Sequence, residues 1–256
     1  MGNLKNGHVE LPMNLVIDIG NTRVKAAVFE KNMLKEFFVF KDTSQLLQST
    51  LFSTYTISDC MLGSVVNEIE PFIRELGQRT NLLLFTSETP TPVKNLYKTA
   101  HSLGSDRLAG AIGGNALFPD KNILVIDAGT CIKYNFVNAQ NEYIGGAISA
   151  GLQMRFKSLH TFTSRLPLLE IDENFNILIG TTSNESILSG IQLGAIAEVE
   201  GFIEQYQQIY PDIKIILTGG DVKFFEKRLK KPIFADSFLI LKGLNAILEF
   251  NLNNKK

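Results

Sequence analysis

One stretch of this chain is written twice. LVIDIGNTRVKAAVF (residues 15–29) and LVIDAGTCIKYNFV (residues 124–137) superpose with a single deletion, which brings Asp18 onto Asp127, 109 positions later. Each copy is an apolar run that ends in Asp, then a glycine, then a hydroxyl-bearing turn, then a second apolar run. Alternating or short apolar runs broken by such turns are strands, so each copy reads as a β-hairpin. The 256 residues suit one large domain or two of about 120 residues. The repeat favours the second option, with an internal duplication.

Composition narrows the class. Hydrophobic residues make up 45% and charged residues 20%, enough for a packed core, and the eighteen phenylalanines read as part of it. Lys+Arg 25 against Asp+Glu 26 leaves a net charge of −1. That lacks the basic surplus of a sequence-independent nucleic-acid binder. Cys60 and Cys131 are too few for a disulfide framework, and with three histidines they do not make a structural zinc site. No apolar run approaches the ~20 residues of a membrane span. The expectation is a soluble, cytoplasmic α/β protein with no nucleic-acid or membrane partner.

Along the chain, residues 1–12 are polar and aperiodic and are read as a flexible leader, with Met13 as an alternative start. LVIDIGN, KAAVFE and EFFVF read as strands, TSQLLQSTLF as a helix capped by Thr43 or Ser44, CMLGSVV as a strand, IEPFIRELGQ as a helix and LLLFT as a strand. Strands separated by helices imply parallel pairing. The pattern restarts at residue 123 with ILVIDAG, IKYNFVN and YIGGAIS. A helix follows, then a long one from about Glu185 to Tyr210, the strand IKIILTGG and a closing helix. The division is into 13–118 and 119–256.

The Asp-x-Gly turns suggest chemistry. Glycine lets a ligand approach the main chain, and successive N–H groups beside the Thr22 or Thr130 hydroxyl make a cradle for phosphate oxygens. Lys25 adds a point charge, and an acid at the strand end suits a hard cation held near those phosphates. One such turn is an ordinary hairpin. Two in register, with Thr218-Gly219-Gly220 after a later strand, favour phosphate binding. Neither G-x-x-x-x-G-K-[ST] nor G-x-G-x-x-G occurs, so the phosphates must be held by hairpins.

Paired Asp-x-Gly hairpins in duplicated halves resemble the actin, sugar-kinase and heat-shock ATPase superfamily. DIGNTRVK (18–25), LGSDR (103–107), DAGTC (127–131), GGAISAGL (145–152), SRLP (164–167), GTTSNESILSG (180–190) and LTGG (217–220), in that order, are similar to the type III pantothenate kinases over the chain after Met13. The resemblance implies two duplicated ribonuclease-H-like α/β domains with an interdomain cleft, and a homodimer. It also implies ATP-dependent phosphorylation of pantothenate to 4'-phosphopantothenate, the first step of coenzyme A biosynthesis, with Mg²⁺ and a monovalent cation (K⁺ or NH₄⁺). By the same resemblance Asp18, Ile19, Gly20, Asn21, Thr22, Arg23, Val24, Lys25 and Thr130 bind ATP, and Asp127 holds the monovalent cation. Tyr97, Gly104, Ser105, Asp106, Arg107 and Ser183 (or Thr182 in its place) contact pantothenate, and Asp106 is the proton acceptor. Cys131, Lys133, Ala150 and Ser183 depart from the family's usual residues.

Read by themselves, these residues have plainer roles. An acid such as Asp106 in a first helical turn suits the helix dipole, and Tyr97 is a half-buried packing residue. His101 and His160 read as surface or interface residues, Asp221 as a helix cap, and both cysteines as inert core thiols. Phosphoryl transfer is mostly positioning and charge neutralisation, which needs one acid to orient and deprotonate the attacking hydroxyl. Arg107 offers a forked cation for a substrate carboxylate. Two other functions fit the same turns: a non-catalytic nucleotide-binding accessory regulator, and a kinase of another small alcohol.

Overall fold

The computed structural model describes residues 4–5, 8–9, 12–65 and 69–254. Most of the expected leader lies outside these. The chain forms two compact units, Met1–Leu117 with Phe238–Lys256, and Phe118–Ser237.

The first unit opens with β1 (Met13–Ile19), β2 (Val24–Glu30) and β3 (Met33–Phe40), then α1 (Thr43–Leu47), α2 (Leu51–Thr54), β4 (Ile57–Ser64), α3 (Glu70–Arg79) and β5 (Asn81–Leu84). Its sheet runs β3-β2-β1-β4-β5, antiparallel up to β1 and parallel beyond it. TSQLLQSTLF splits into two short helices, and Asp42 caps the first in place of Thr43 or Ser44. Its carboxylate accepts from Gln45 N at 2.9 Å because its own backbone is still extended (φ −151°). Leu15, Ile17, Val24, Ala26, Val28, Cys60 and Leu62 form the core on one face of this sheet, with Leu46, Phe72 and Leu76 from the helices.

The other face is covered by α4 (Ser105–Leu117) and, at the far end of the chain, by α9 (Leu239–Asn254). The sequence reading gave α9 to the second half. It packs on the first unit because both helices are pared to backbone where they meet. A Cβ on Gly113 would sit 2.3 Å from the Leu239 carbonyl oxygen, and one on Gly243 would sit 1.8 Å from that of Ala109. Buried Asn14 on β1 reaches the same helix, donating to Asn245 Oδ1 (3.1 Å) and Glu249 Oε1 (2.7 Å).

The second unit carries β6 (Ile123–Ala128), β7 (Cys131–Val137), β8 (Glu142–Ala150), α5 (Leu152–Phe162), α6 (Ser183–Leu188), α7 (Gly194–Ile209), β9 (Lys214–Thr218), α8 (Val222–Glu226) and β10 (Phe234–Ala235). Within the unit the strands run β8-β7-β6-β9-β10, again antiparallel and then parallel. Numbered from its own first strand, each unit therefore has the order 3-2-1-4-5 with the same directions. The expected long helix begins at α6 because Thr182 and Glu185 form a capping box there. A π-helical turn (Ser189–Leu193) joins α6 to α7, and within it fully buried Gln192 brackets the Asp172 peptide through both amide atoms. Contrary to the expectation from run lengths, Ser183–Ile209 is long and apolar enough by composition to cross a membrane. Its stripe Ala195, Val199 and Ile203 is instead fully buried against Leu124, Ile126 and Tyr134 of the sheet.

One polar knot lies beside that core. Glu198 on α7 accepts from Tyr134 Oη (3.0 Å), from Ser149 Oγ and from the Arg155 guanidinium. Burial pushes its carboxyl up, but the hydrogen bonds from Ser149, Arg155 and Tyr134 outweigh burial and hold it below its ordinary value.

Candidate active site

In the first unit the β1–β2 turn is closed by Gly20 N donating to Arg23 O at 3.1 Å. Ile19 and Val24 are buried in the core and fix the turn's ends, while Asn21, Thr22 and Arg23 are exposed along it. Asp18 is only 7% exposed and stands directly opposite Lys25 across the strand pair. The expected nucleotide residues thus divide into two anchors and an accessible rim.

Register brings the next group to this turn. Ile19 pairs with Ser64, the last residue of β4, and the Ser64 carbonyl accepts from Ser105 Oγ at 3.1 Å. The start of α4 therefore lies at the end of the strand beside the Asp18 turn. Asp106 occupies the first turn of α4 and its Oδ1 accepts from Arg107 N at 2.8 Å. Gly104 makes room for this, since a Cβ there would fall 2.7 Å from Asp106 Oδ1. Arg107 is 6% exposed, and its guanidinium carbon lies 5.5 Å from the centre of the Tyr97 ring. Tyr97 is itself held by its amide donating to Asn95 Oδ1 (3.0 Å).

A cavity of about 540 Å³ opens at the same place, lined in part by Ser64, Val65, Phe85, His101, Gly104 and Ser105. Its walls hold two of the expected pantothenate residues, Gly104 and Ser105. Tyr97, Asp106 and Arg107 are not among its walls. His101 is exposed, as the sequence reading has it, but faces this cavity. Ser64 and Phe85 were not singled out in the sequence. They come from strand ends with no motif, and only the parallel pairing of β4 with its neighbours reveals them.

In the second unit the β6–β7 turn repeats the arrangement. Gly129 N donates to Cys131 O (3.0 Å), and Gly151 N, at the N-cap of α5, donates to Thr130 O (3.1 Å). The backbone here is packed too closely for side chains. A Cβ on Gly151 would lie 2.0 Å from Gly129 O, and Gly219 (φ +103°) would place one 2.2 Å from Ala128 O. Thr130 is exposed beside the N-terminus of the eleven-residue α5, which presents its first amides.

Asp127 is 8% exposed, and its Oδ2 makes an ion pair with Lys133 Nζ at 2.9 Å. Asp221 donates its amide to Ala128 O (2.9 Å), but its side chain makes no cap hydrogen bond, against expectation. Burial, and then the charge of Asp127, raises the Asp221 carboxyl. Ser183 is exposed as the first residue of α6, whereas Thr182 spends its hydroxyl oxygen accepting from Glu185 N (3.2 Å). Cys60 is buried, which pushes its thiol up, while Cys131 is only partly buried. His160 is exposed, with Nδ1 2.9 Å from Leu166 O. No group of three or more His, Cys, Asp or Glu among the described residues is arranged to hold a metal.

Two sheets of like topology, each with an acid before a glycine turn at the end of its central strand, define an actin-like ATPase fold. The structure is similar to that of an activator of 2-hydroxyisocaproyl-CoA dehydratase from Clostridium difficile with bound ADPNP, with a TM-score of 0.55 at 10% identity, over 94% of this chain and 95% of that one. It is also similar to a conserved putative Baf family transcriptional activator from Campylobacter jejuni, with a TM-score of 0.63 at 19% identity, over 93% and 99% of the two chains. The family model for type III pantothenate kinase matches residues 14–205. A type III pantothenate kinase of Flavobacterium johnsoniae is 40% identical over 244 residues, 94% of this chain and 100% of that one. The chain belongs to the type III pantothenate kinase family.

Proposed function

We propose that this protein transfers the γ-phosphoryl group of ATP to the primary hydroxyl of pantothenate, giving 4'-phosphopantothenate for coenzyme A biosynthesis in the cytoplasm. The observation that carries the reading is the Ile19–Ser64–Ser105 linkage, which sets an acid-tipped glycine turn beside the helix start bearing Asp106 and Arg107. The first turn offers Lys25 and the exposed residues 21–23 to phosphate oxygens, and Thr130 stands beside the glycine turn of the second unit.

Asp106 takes the proton of the attacking hydroxyl at its carboxylate. The Arg107 amide bond to Oδ1 holds the group in one orientation. The Arg107 guanidinium, fixed over Tyr97, receives the pantothenate carboxylate, and Ser183 adds a hydroxyl. Mg²⁺ fits the acid at the end of β1, because that ion is held by one or two carboxylates plus substrate phosphates, with Asp18 as its protein ligand here. When bound it neutralises the charge of the transferring phosphoryl group.

A homodimer belongs to the same reading. Leu178 (75% exposed) and Ile179 (79% exposed) form an apolar edge that a second copy would cover. Light scattering of the pure protein measures the dimer. The activity is tested by incubating the protein with ATP, Mg²⁺, K⁺ and pantothenate and following 4'-phosphopantothenate. If none forms, the kinase reading falls.

A further inference from the structure

The Asp127 carboxylate is the group to which the resemblance assigns a monovalent cation, and the structure gives it a different partner. Asp127 and Lys133 are direct cross-strand neighbours in the antiparallel β6–β7 pair, so both side chains leave the same face of the sheet. Their ion pair is 2.9 Å long, with the Asp127 side chain 11% and the Lys133 side chain 20% exposed. The other oxygen, Oδ1, is hemmed in by main chain: a Cβ on Gly219 would stand 2.6 Å from it, and φ there is +103°. A carboxylate this deeply buried needs a positive charge beside it to remain tolerable. Lys133 is placed to provide it.

The internal repeat supports this reading. The deletion that brings Asp18 onto Asp127 also brings Lys25 onto Lys133, and in each hairpin the register sets the lysine opposite the acid. A primary ammonium carries the same charge as NH₄⁺, one of the two cations the resemblance implies, and here it is tethered to the chain.

We infer that Lys133 acts as a built-in monovalent cation at Asp127, so that this protein works without K⁺ or NH₄⁺. The inference rests on the kinase reading for its first experiment and is independent of it in the second. In the first, initial rates are compared in potassium, ammonium and tetramethylammonium chloride at equal ionic strength. The parent should turn over equally in all three. Lys133→Ala should lose about tenfold or more in tetramethylammonium and recover in K⁺ or NH₄⁺, because a charge-assisted contact is removed and then replaced by an ion. Lys133→Met, which keeps most of the stem, serves if the alanine variant fails to fold.

In the second, Tl⁺, which mimics K⁺, is titrated by ²⁰⁵Tl NMR into ATP-free protein. Lys133→Ala or Lys133→Met should show a saturable site that the parent lacks. A parent that needs K⁺, a parent that binds Tl⁺ saturably, or folded variants indifferent to both ions would each overturn the inference. No rate in any salt would sink the kinase reading, and the Tl⁺ titration would still decide the role of Lys133.

Discussion

The Arg107 guanidinium lies over the face of Tyr97, 5.5 Å from the ring centre, on a side chain almost wholly buried. This contact restrains the guanidinium and hence its approach to a carboxylate. Arg107→Lys keeps the charge and loses the fork, so the KM for pantothenate should rise about 10–100-fold, the worth of a charge-assisted hydrogen bond, with a smaller change in kcat. Tyr97→Ala should raise it less, since a cation–π contact is worth about 0.5–2 kcal/mol. Steady-state kinetics with varied pantothenate measure both; an unchanged KM in Arg107→Lys removes the residue from the site.

Asp106→Asn retains an oxygen that accepts from the Arg107 amide and loses the basic carboxylate. The fold should survive with an unaltered Tm, while kcat falls about 10²–10⁴-fold, the usual contribution of a general base. Thermal melting alongside turnover separates this from damage to α4. Parent-like turnover would assign the proton to another group.

Glycine-to-alanine substitutions should have opposite signs at two helical positions. In Gly243→Ala the new methyl would meet Ala109 O at 1.8 Å, forcing α4 and α9 apart at a cost of about 3 kcal/mol or more. Gly201, inside α7, has nothing within 4 Å of a Cβ, so Gly201→Ala should stabilise by about 0.5–1 kcal/mol. Urea unfolding of the two variants measures the difference.

Glu198 gives a pH dependence with a definite sign. Its carboxyl is lower in the folded protein than its ordinary 4.5, so its contribution is complete above that value and is lost as pH falls through the lower, folded value. The stability gap between parent and Glu198→Gln should therefore be constant at neutral pH and shrink below about pH 4.5. Melting in a buffer series from neutral to acid tests this, and a gap that widens on acidification would contradict it.

Thr182 and Ser183 should separate by role. Thr182→Ala removes one arm of the capping box and should cost about 1 kcal/mol of stability without changing the KM for pantothenate. Ser183→Ala should leave stability alone and raise that KM. The reverse pattern would return the substrate contact to Thr182.

The two hairpins were legible in the sequence because a buried strand ending in Asp-x-Gly repeats at fixed spacing, and period and turn chemistry are local. Parallel pairing of β1 with β4 and of β6 with β9 followed from the helices between them. What escaped depends on contacts between residues far apart in the chain. Ser64 became part of the site only through its register with Ile19, and Phe85 through the strand beside it. Lys133 was visible as an unusual residue, but its partner could be read only once β7 was laid against β6. The cap at Asp42 was missed because three neighbouring residues were all competent caps, and the backbone conformation chose among them.

The return of α9 to the first unit has a consequence for synthesis. The strands that leave the ribosome first must wait for the sixteen residues of α9 before the cover that α4 begins on one face of their sheet is complete, while the unit in between can bury its own core earlier. Trimming the carboxyl end of this protein therefore wounds its amino-terminal half.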